Sequence, residues 1–255
     1  MKLITCSVPD DTAYLIPIGD IHIGDRAFGK KGRKKLLGYL DWVRERPNAR
    51  IFLMGDILNC ASRSSKTSPF ESDSSEYRQA VEIFKPYASQ ILGAIQGNHE
   101  RRVADQFGFD PLESICRELG VPYCGLSAAI RLRVGKRPAA DWYWQTYHIY
   151  AHHTTGGGGS LGAALNRVAK LQDIIQGIDV YLGGHNHQLV NGVRTVFRPG
   201  RTDLEEHKVH YVDCGSYLEY RDSYAEAGMY SPGKLGSPRL RFSGARDHRD
   251  IHVSL

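Results

Sequence analysis

The sequence predicts an α/β domain: a sheet with covering helices, continued by a second, more antiparallel half. Two observations carry the prediction. Short apolar runs alternate with longer polar-faced segments in the order β-α-β-α-β-α from Tyr14 to Leu119. Acidic, imidazole and amide side chains then recur directly after the predicted strands, where open α/β folds place their sites.

Tyr14–Ile18 reads as the first strand, followed by a basic helix over Lys31–Arg44. Ile51–Met54 is the next strand, and a Ser-rich loop from Ala61 to Ser75 leads to a helix near Tyr77–Tyr87. Ile91–Gln96 is a strand and Pro111–Leu119 a short helix. Ile130–Val134 and Tyr143–Ala151 open the antiparallel half. A Gly-rich loop, Thr155–Leu161, precedes a helix over Ala163–Ile175, and Val180–Leu182, Val193–Phe197 and His210–Val212 are short strands. From Tyr217 the pattern turns polar, with Gly and Pro breaks until Asp250–Ser254. The economical organisation is one domain over residues 1–255, with 217–255 a loop-rich C-terminal extension.

Of 255 residues, 41% are hydrophobic and 24% charged, which excludes disorder of the whole chain. A net charge of +5 permits an anionic partner without demonstrating one. No run approaches the ~18 apolar residues of a membrane helix, so no membrane partner is expected. Met1–Gly19 contains Pro9, Asp10 and Asp11 and lacks the pattern of a signal peptide. The five cysteines are scattered and form no C-x-x-C, so neither a disulfide framework nor a zinc knuckle is indicated, and a cytoplasmic location is expected.

Five polar sets follow five strands: Asp20 and His22; Gly55-Asp56; Gly97-Asn98-His99-Glu100; His152 and His153; and Gly184-His185-Asn186-His187. Each alone is an ordinary turn. Their joint occurrence at strand ends would converge on one sheet edge. Asp, Asn and His are a mixed hard and borderline ligand set, suited to a pair of divalent ions such as manganese, iron, zinc or nickel.

These motifs resemble the signature of the calcineurin-like metallophosphoesterases, over roughly residues 15–190. Tyr211-Val212-Asp213-Cys214-Gly215-Ser216 is similar to the strand and Gly-Ser turn that closes that fold. The resemblance implies a four-layer α-β-β-α sandwich with two mixed sheets. It implies two divalent metal ions, Mn²⁺ first and Fe, Zn, Ni or Mg as others. One would be held by Asp20, His22, Asp56 and His187, and the other by Asp56, Asn98, His152 and His185, with Asp56 bridging. It implies hydroxide attack on phosphorus with His99 as proton donor and not as a ligand. Strand alternation puts His148, Tyr150 and His152 on one face. The family pattern also favours the first His of such a pair, so His152 is the assigned ligand and His153 faces substrate, a ligand or solvent. His185 and His187, two apart on an extended segment, would share a side.

Substrate signals are weaker. Gly55-Asp56-Ile57-Leu58-Asn59-Cys60 has Asn59 and Cys60 where the similar protein Ser/Thr phosphatases carry Asp and Arg, which argues against that branch; Phe107-Gly108-Phe109 faintly resembles it. Arg26, Lys30, Lys31, Arg33, Lys34 and Lys35 place six basic residues in ten, just after His22, and would track a polyanion. Arg101 and Arg102 would clamp phosphate oxygens. Arg63, Lys66, Arg239, Arg241, Arg246 and Arg249 extend the basic character, and Tyr123, Trp142 and Trp144 are aromatics that would stack bases or fill the core. The loop Thr154–Ser160 lacks the Lys of a P-loop, which excludes ATP binding there. Asn59, Arg101, Arg102 and His153 are thus the candidate substrate contacts. The expected function is a two-metal phosphoester hydrolase preferring phosphodiesters or nucleic acid, a nuclease or phosphodiesterase. The alternatives are a phosphomonoesterase acting on nucleotides or phosphoproteins, and an inactive interaction module. The last is disfavoured because the motif residues are all kept. The oligomeric state is not legible.

Overall fold

The computed structural model describes residues 1–61, 73–135, 144–156, 160–200 and 202–255. In chain order the elements are β1 (Lys2–Val8), β2 (Thr12–Ile18), α1 (Lys30–Arg44), β3 (Ala49–Leu53), α2 (Asp73–Phe84), β4 (Ile91–Ala94), α3 (Asn98–Phe107), α4 (Pro111–Leu119), β5 (Ser127–Val134), β6 (Gln145–His152), α5 (Leu161–Lys170), β7 (Val180–Gly183), β8 (Leu189–Pro199), β9 (Leu204–Cys214), α6 (Tyr224–Ala227), β10 (Arg239–Ser243) and β11 (Ile251–Ser254). They build two mixed sheets, one ordered β11-β10-β2-β3-β4 and the other β1-β5-β6-β7-β9-β8. β2, β3 and β4 are parallel, and β10 and β11 add antiparallel at the β2 side.

Three apolar layers explain the arrangement. Ala13, Leu15, Phe52, Ile130, Tyr147, Ile149, Leu182, Val212, Leu240 and Phe242 fill the space between the sheets. On the outer face of the five-stranded sheet, Ile16, Ile18, Ile51 and Leu53 pack against Leu36, Leu40, Phe84 and Leu112 of α1, α2 and α4. On the outer face of the other, Tyr150, Tyr181, Val209 and Tyr211 pack against Val168 of α5. β2 is therefore buried on both faces, which is why it reads as an apolar run rather than an alternation. The result is the α-β-β-α sandwich.

Local chemistry sets the helices. α1 buries Leu36, Leu40 and Val43 along one stripe and turns its lysines outward. In α4, Asp110 accepts N–H bonds from Leu112 and Glu113, Pro111 occupies the first turn, and Gly120 ends the helix at φ 68°.

The elements β1, α3, α6 and β10 lie outside the sequence expectation. β1 is an edge strand, largely exposed on one face. α3 buries only Glu100, so it has no apolar stripe to read. The stretch expected to be loop-rich after Tyr217 contributes β10 and β11, whose Leu240, Phe242 and Ile251 join the inter-sheet core. Arg63, Lys66, Trp142, most of the Ser-rich loop and positions 157–159 of the Gly loop fall outside the described residues. Among those described, no helix is long and apolar enough to cross a membrane.

Candidate metal centre

Five strands deliver their polar residues at one edge between the two sheets. After β2 come Asp20 and His22, after β3 Asp56, after β4 Asn98 and His99 at the start of α3, after β6 His153, and after β7 His185 and His187. The turns that aim them are strained. Asp20, His22, Asp56, His185 and His187 all adopt left-handed backbone, with φ of 49°, 52°, 49°, 75° and 56°. Such conformations cost side-chain-bearing residues about 1–3 kcal/mol each and persist where the surroundings fix them. His185 and His187 therefore do not lie on an extended segment, although both still reach the centre.

The fixing contacts are specific. The Asp56 carbonyl accepts N–H bonds from Ile21 at 2.9 Å and His22 at 3.0 Å. Glu100, fully buried, accepts four: from Asp56 at 3.0 Å, Ile57 at 2.7 Å, Leu58 at 3.0 Å and Gly97 at 3.1 Å. It clamps the Asp56 loop onto the start of α3. Gly97 is required there, because a Cβ would stand 2.1 Å from the Asp56 nitrogen and carboxylate.

Three groups of donors result, each with its ligand-type atoms within 4.8 Å: Asp20, His22 and His187; Asp56, His153 and His185; and His22, Asp56 and His99. His187 Nε2 is 3.3 Å from Asp20 Oδ1, and His153 Nε2 is 3.1 Å from Asp56 Oδ2. Asn98 Oδ1 lies 2.7 Å from His185 Nδ1 and 3.1 Å from His153 Nε2. His22 and His187 turn their Nε2 atoms on one another at 3.3 Å. Two neutral ring nitrogens presenting lone pairs repel unless a proton or a cation lies between them. This donor set, mixed in hardness and converging from buried positions, fits divalent first-row ions.

The structure corrects one assignment. His153, and not His152, stands in the centre. Along β6 the residues Tyr147, Ile149 and Ala151 face the inter-sheet core, and Tyr150 faces α5. His152 continues the α5 face and its Nδ1 accepts the Thr154 N–H at 2.8 Å. His153 continues the inter-sheet face, and its Nδ1 bonds the Met54 carbonyl at 2.8 Å, leaving Nε2 for the centre. The alternation itself is as expected; the face that carries the site is the other one.

Charge is organised around Asp56. Burial raises its carboxyl, but His153 and His99 outweigh that and hold it well below the usual range. Burial lowers His153, yet Asp56 beside it raises the imidazole to about 10. His22 is pushed well below its ordinary value, first by burial and then by His99. Burial and the Asp56 charge raise Glu100, and its N–H donors oppose the rise. Imidazolium and carboxylate thus share the place that a cation would take.

The other sequence candidates separate. The His99 ring packs edge-on to His22 at 4.4 Å, and its Nδ1 donates to the Asn59 carbonyl at 2.5 Å. The Asn59 side chain is fully buried beneath this contact. Arg102 lies against His99 and donates to the Cys60 carbonyl at 3.1 Å. Arg101 is half exposed and pairs with Asp105 at 3.6 Å along α3, so it is not brought to the centre. The approach of Tyr224 to His187 was not foreseen, because Tyr224 lies outside every recognised motif.

A family model described as calcineurin-like phosphoesterase matches residues 15–189, more than half of the chain. The chain belongs to that family. The family is one of phosphoesterases. Comparison with curated proteins finds no match. Among solved structures, the NAD nucleotidase of Haemophilus influenzae is 11% identical at a TM-score of 0.45, covering 96% of this chain and 49% of that one. The chain spans about half the length of that nucleotidase. The Pseudomonas putida nuclease MPE is 16% identical at 0.37, covering 91% and 85%. An anchor protein of the inner membrane complex of Plasmodium is 8% identical at 0.35, covering 95% and 88%.

Proposed function

We propose that this phosphoesterase is a two-metal phosphodiesterase, with manganese as its first candidate ion and nucleic acid as its preferred substrate class. The observation that carries the reading is one edge where two donor groups share a neighbourhood around Asp56, with a row of exposed basic side chains beside it. Arg26, Lys30, Lys31, Arg33, Lys34 and Lys35 are all exposed, and Arg26 lines a cavity with Asp25 just past the centre. Such a row would follow a polyanionic backbone.

Asp20, His22, Asp56 and His187 would hold one ion, and Asp56, Asn98, His153 and His185 the other. When bound, a metal pair neutralises phosphoryl oxygens and makes a water acidic enough to attack at neutral pH. His99 would supply a proton to the leaving oxygen. Its Nδ1–H is fixed on the Asn59 carbonyl, which turns Nε2 away from that anchor. Arg102 adds positive charge beside the ring. The sandwich and its C-terminal strands act as one domain in this reading, in a reducing cytoplasm suited to five buried cysteines, none disulfide-bonded among the described residues.

A second reading, a phosphomonoesterase, is favoured by one feature. The cavity against His185 and His187 is only about 230 Å³, below the ~300–1,000 Å³ of drug-sized pockets, and would take one small group.

The deciding experiment is a metal-by-substrate screen. Purified protein is assayed with each divalent ion on p-nitrophenyl phosphate, bis-p-nitrophenyl phosphate, DNA and RNA. Manganese-dependent cleavage of the diester and of a polynucleotide is expected. Replacing Lys30, Lys31, Lys34 and Lys35 with Gln should weaken polynucleotide cleavage, flatten its salt dependence and spare the small diester. Preference for the monoester, with no salt dependence, would overturn the diesterase reading.

A further inference from the structure

The ligand candidate His187 has two ring nitrogens with different company. Nε2 faces Asp20 Oδ1 and His22 Nε2, both at 3.3 Å. Nδ1 lies 3.0 Å from the hydroxyl of Tyr224. A neutral imidazole carries one donor and one acceptor nitrogen. If Nε2 is to offer its lone pair to a cation, Nδ1 must carry the hydrogen, and the Tyr224 oxygen is placed to accept it.

Tyr224 is well placed to hold this contact. It opens α6, where the Ser223 hydroxyl accepts the Ala225 N–H at 3.2 Å. Its ring meets the His187 ring edge-on at 6.3 Å and 73°, and the Tyr230 ring at 6.3 Å and 71°. It also walls two cavities, one against His185 and His187 and the other against Asp25 and Arg26. His153 shows the same device from within the family match: its Nδ1 is held by the Met54 carbonyl, so that Nε2 faces Asp56. For His153 the anchor is backbone. For His187 it is a side chain from beyond residue 189, where the family match ends.

We infer that Tyr224 is a positioning residue of the metal centre, its hydroxyl fixing the tautomer and orientation of His187 so that Nε2 faces the Asp20 and His22 donors. The stretch around α6 then completes the centre rather than trailing from it. The inference rests on the two-ion reading above. Partners that fix a ligand imidazole in this way are typically worth 10–100-fold in metal affinity.

The test is calorimetric titration of Mn²⁺ into metal-stripped protein, for wild type, Tyr224→Phe and Tyr230→Phe. Wild type should take two ions. Tyr224→Phe should bind one of them about 10–100-fold more weakly and the other as before. Tyr230→Phe, which lines the same cavities without touching a ligand, should match wild type. In the zinc-loaded protein, nitrogen-15 NMR of the histidines should show Nδ1-protonated His187, with its hydrogen exchanging slowly in wild type and rapidly in Tyr224→Phe. The NMR reading on wild type stands even if the variant fails to fold. Two ions bound equally well by wild type and Tyr224→Phe, or His187 protonated on Nε2, would overturn the role of Tyr224 and leave the two-ion reading intact. Equal losses in Tyr224→Phe and Tyr230→Phe would also overturn it, as a general loosening of the wall. A wild type that takes fewer than two ions would overturn both.

Discussion

Replacing Glu100 by Gln tests the clamp that shapes the centre. Both carboxylate oxygens are in use: Oε2 accepts the N–H groups of Asp56 and Gly97, and Oε1 those of Ile57 and Leu58. A Gln amide has one oxygen and one NH₂. Whichever way it turns, two backbone N–H groups lose their acceptor and meet a donor. All of this is buried, so water cannot replace the loss. Each stranded donor costs about 1–3 kcal/mol, so the variant should lose about 2–6 kcal/mol. That is a large share of the about 5–15 kcal/mol by which domains are stable. Urea unfolding followed by tryptophan fluorescence, run above about pH 8 where the raised carboxyl is ionised, should show a lower midpoint at similar slope. Uptake of divalent ions should weaken too, because the Asp56 loop is what Glu100 pins. A Glu100→Gln protein within about 0.5 kcal/mol of wild type would refute the clamp.

Three further outcomes are expected. His153→Ala should lose affinity for one ion while His152→Ala keeps both, as read by elemental analysis; the reverse would restore the assignment made from the sequence. His99→Asn should retain both ions and slow turnover by about 10²–10⁴-fold, less for a substrate with a good leaving group; loss of an ion would make His99 a ligand. Asp213 is raised to about 8, first by burial, with Asn186 opposing and Asp20 adding. Its folded pKa lies above the unfolded one, so its contribution to stability is full below about pH 4 and is lost as pH rises to about 8. Melting of chelator-treated wild type should therefore fall relative to Asp213→Asn across that window, and a pH-independent difference would contradict it.

Much of this was legible because the site is built from short strand-end motifs. Asp20, His22, Asp56, Asn98, His185 and His187 each follow a strand whose apolar run marks where it ends, and the family resemblance orders them. The helices α1 and α4 were legible from stripe and cap chemistry. What escaped has physical reasons. Choosing between His152 and His153 needs to know which face of β6 looks into the other sheet, and a strand with apolar material on both faces does not say. α3 presents charges all round and is held by Glu100 rather than by an apolar stripe. β10 alternates over five residues only, with Arg239 and Arg241 flanking the buried Leu240 and Phe242. Tyr224 is one of fourteen tyrosines, and only the fold brings it to His187.

The pairing of β2 has a consequence for the order in which the molecule is made. β2, which leads to Asp20 and His22, is hydrogen-bonded to β3 on one side and to β10 on the other, with Leu15 opposite Leu240 and Tyr14 opposite Arg241. More than 200 residues separate the two strands along the chain. At about 5–20 residues per second, roughly 10–40 s of translation pass between them. Throughout that interval the strand bearing the first donors is an open edge, free to pair with the wrong neighbour. The centre's earliest-synthesised loop is thus among the last to be locked, and premature termination before Arg239 yields a chain in which β2 is left as a sticky margin.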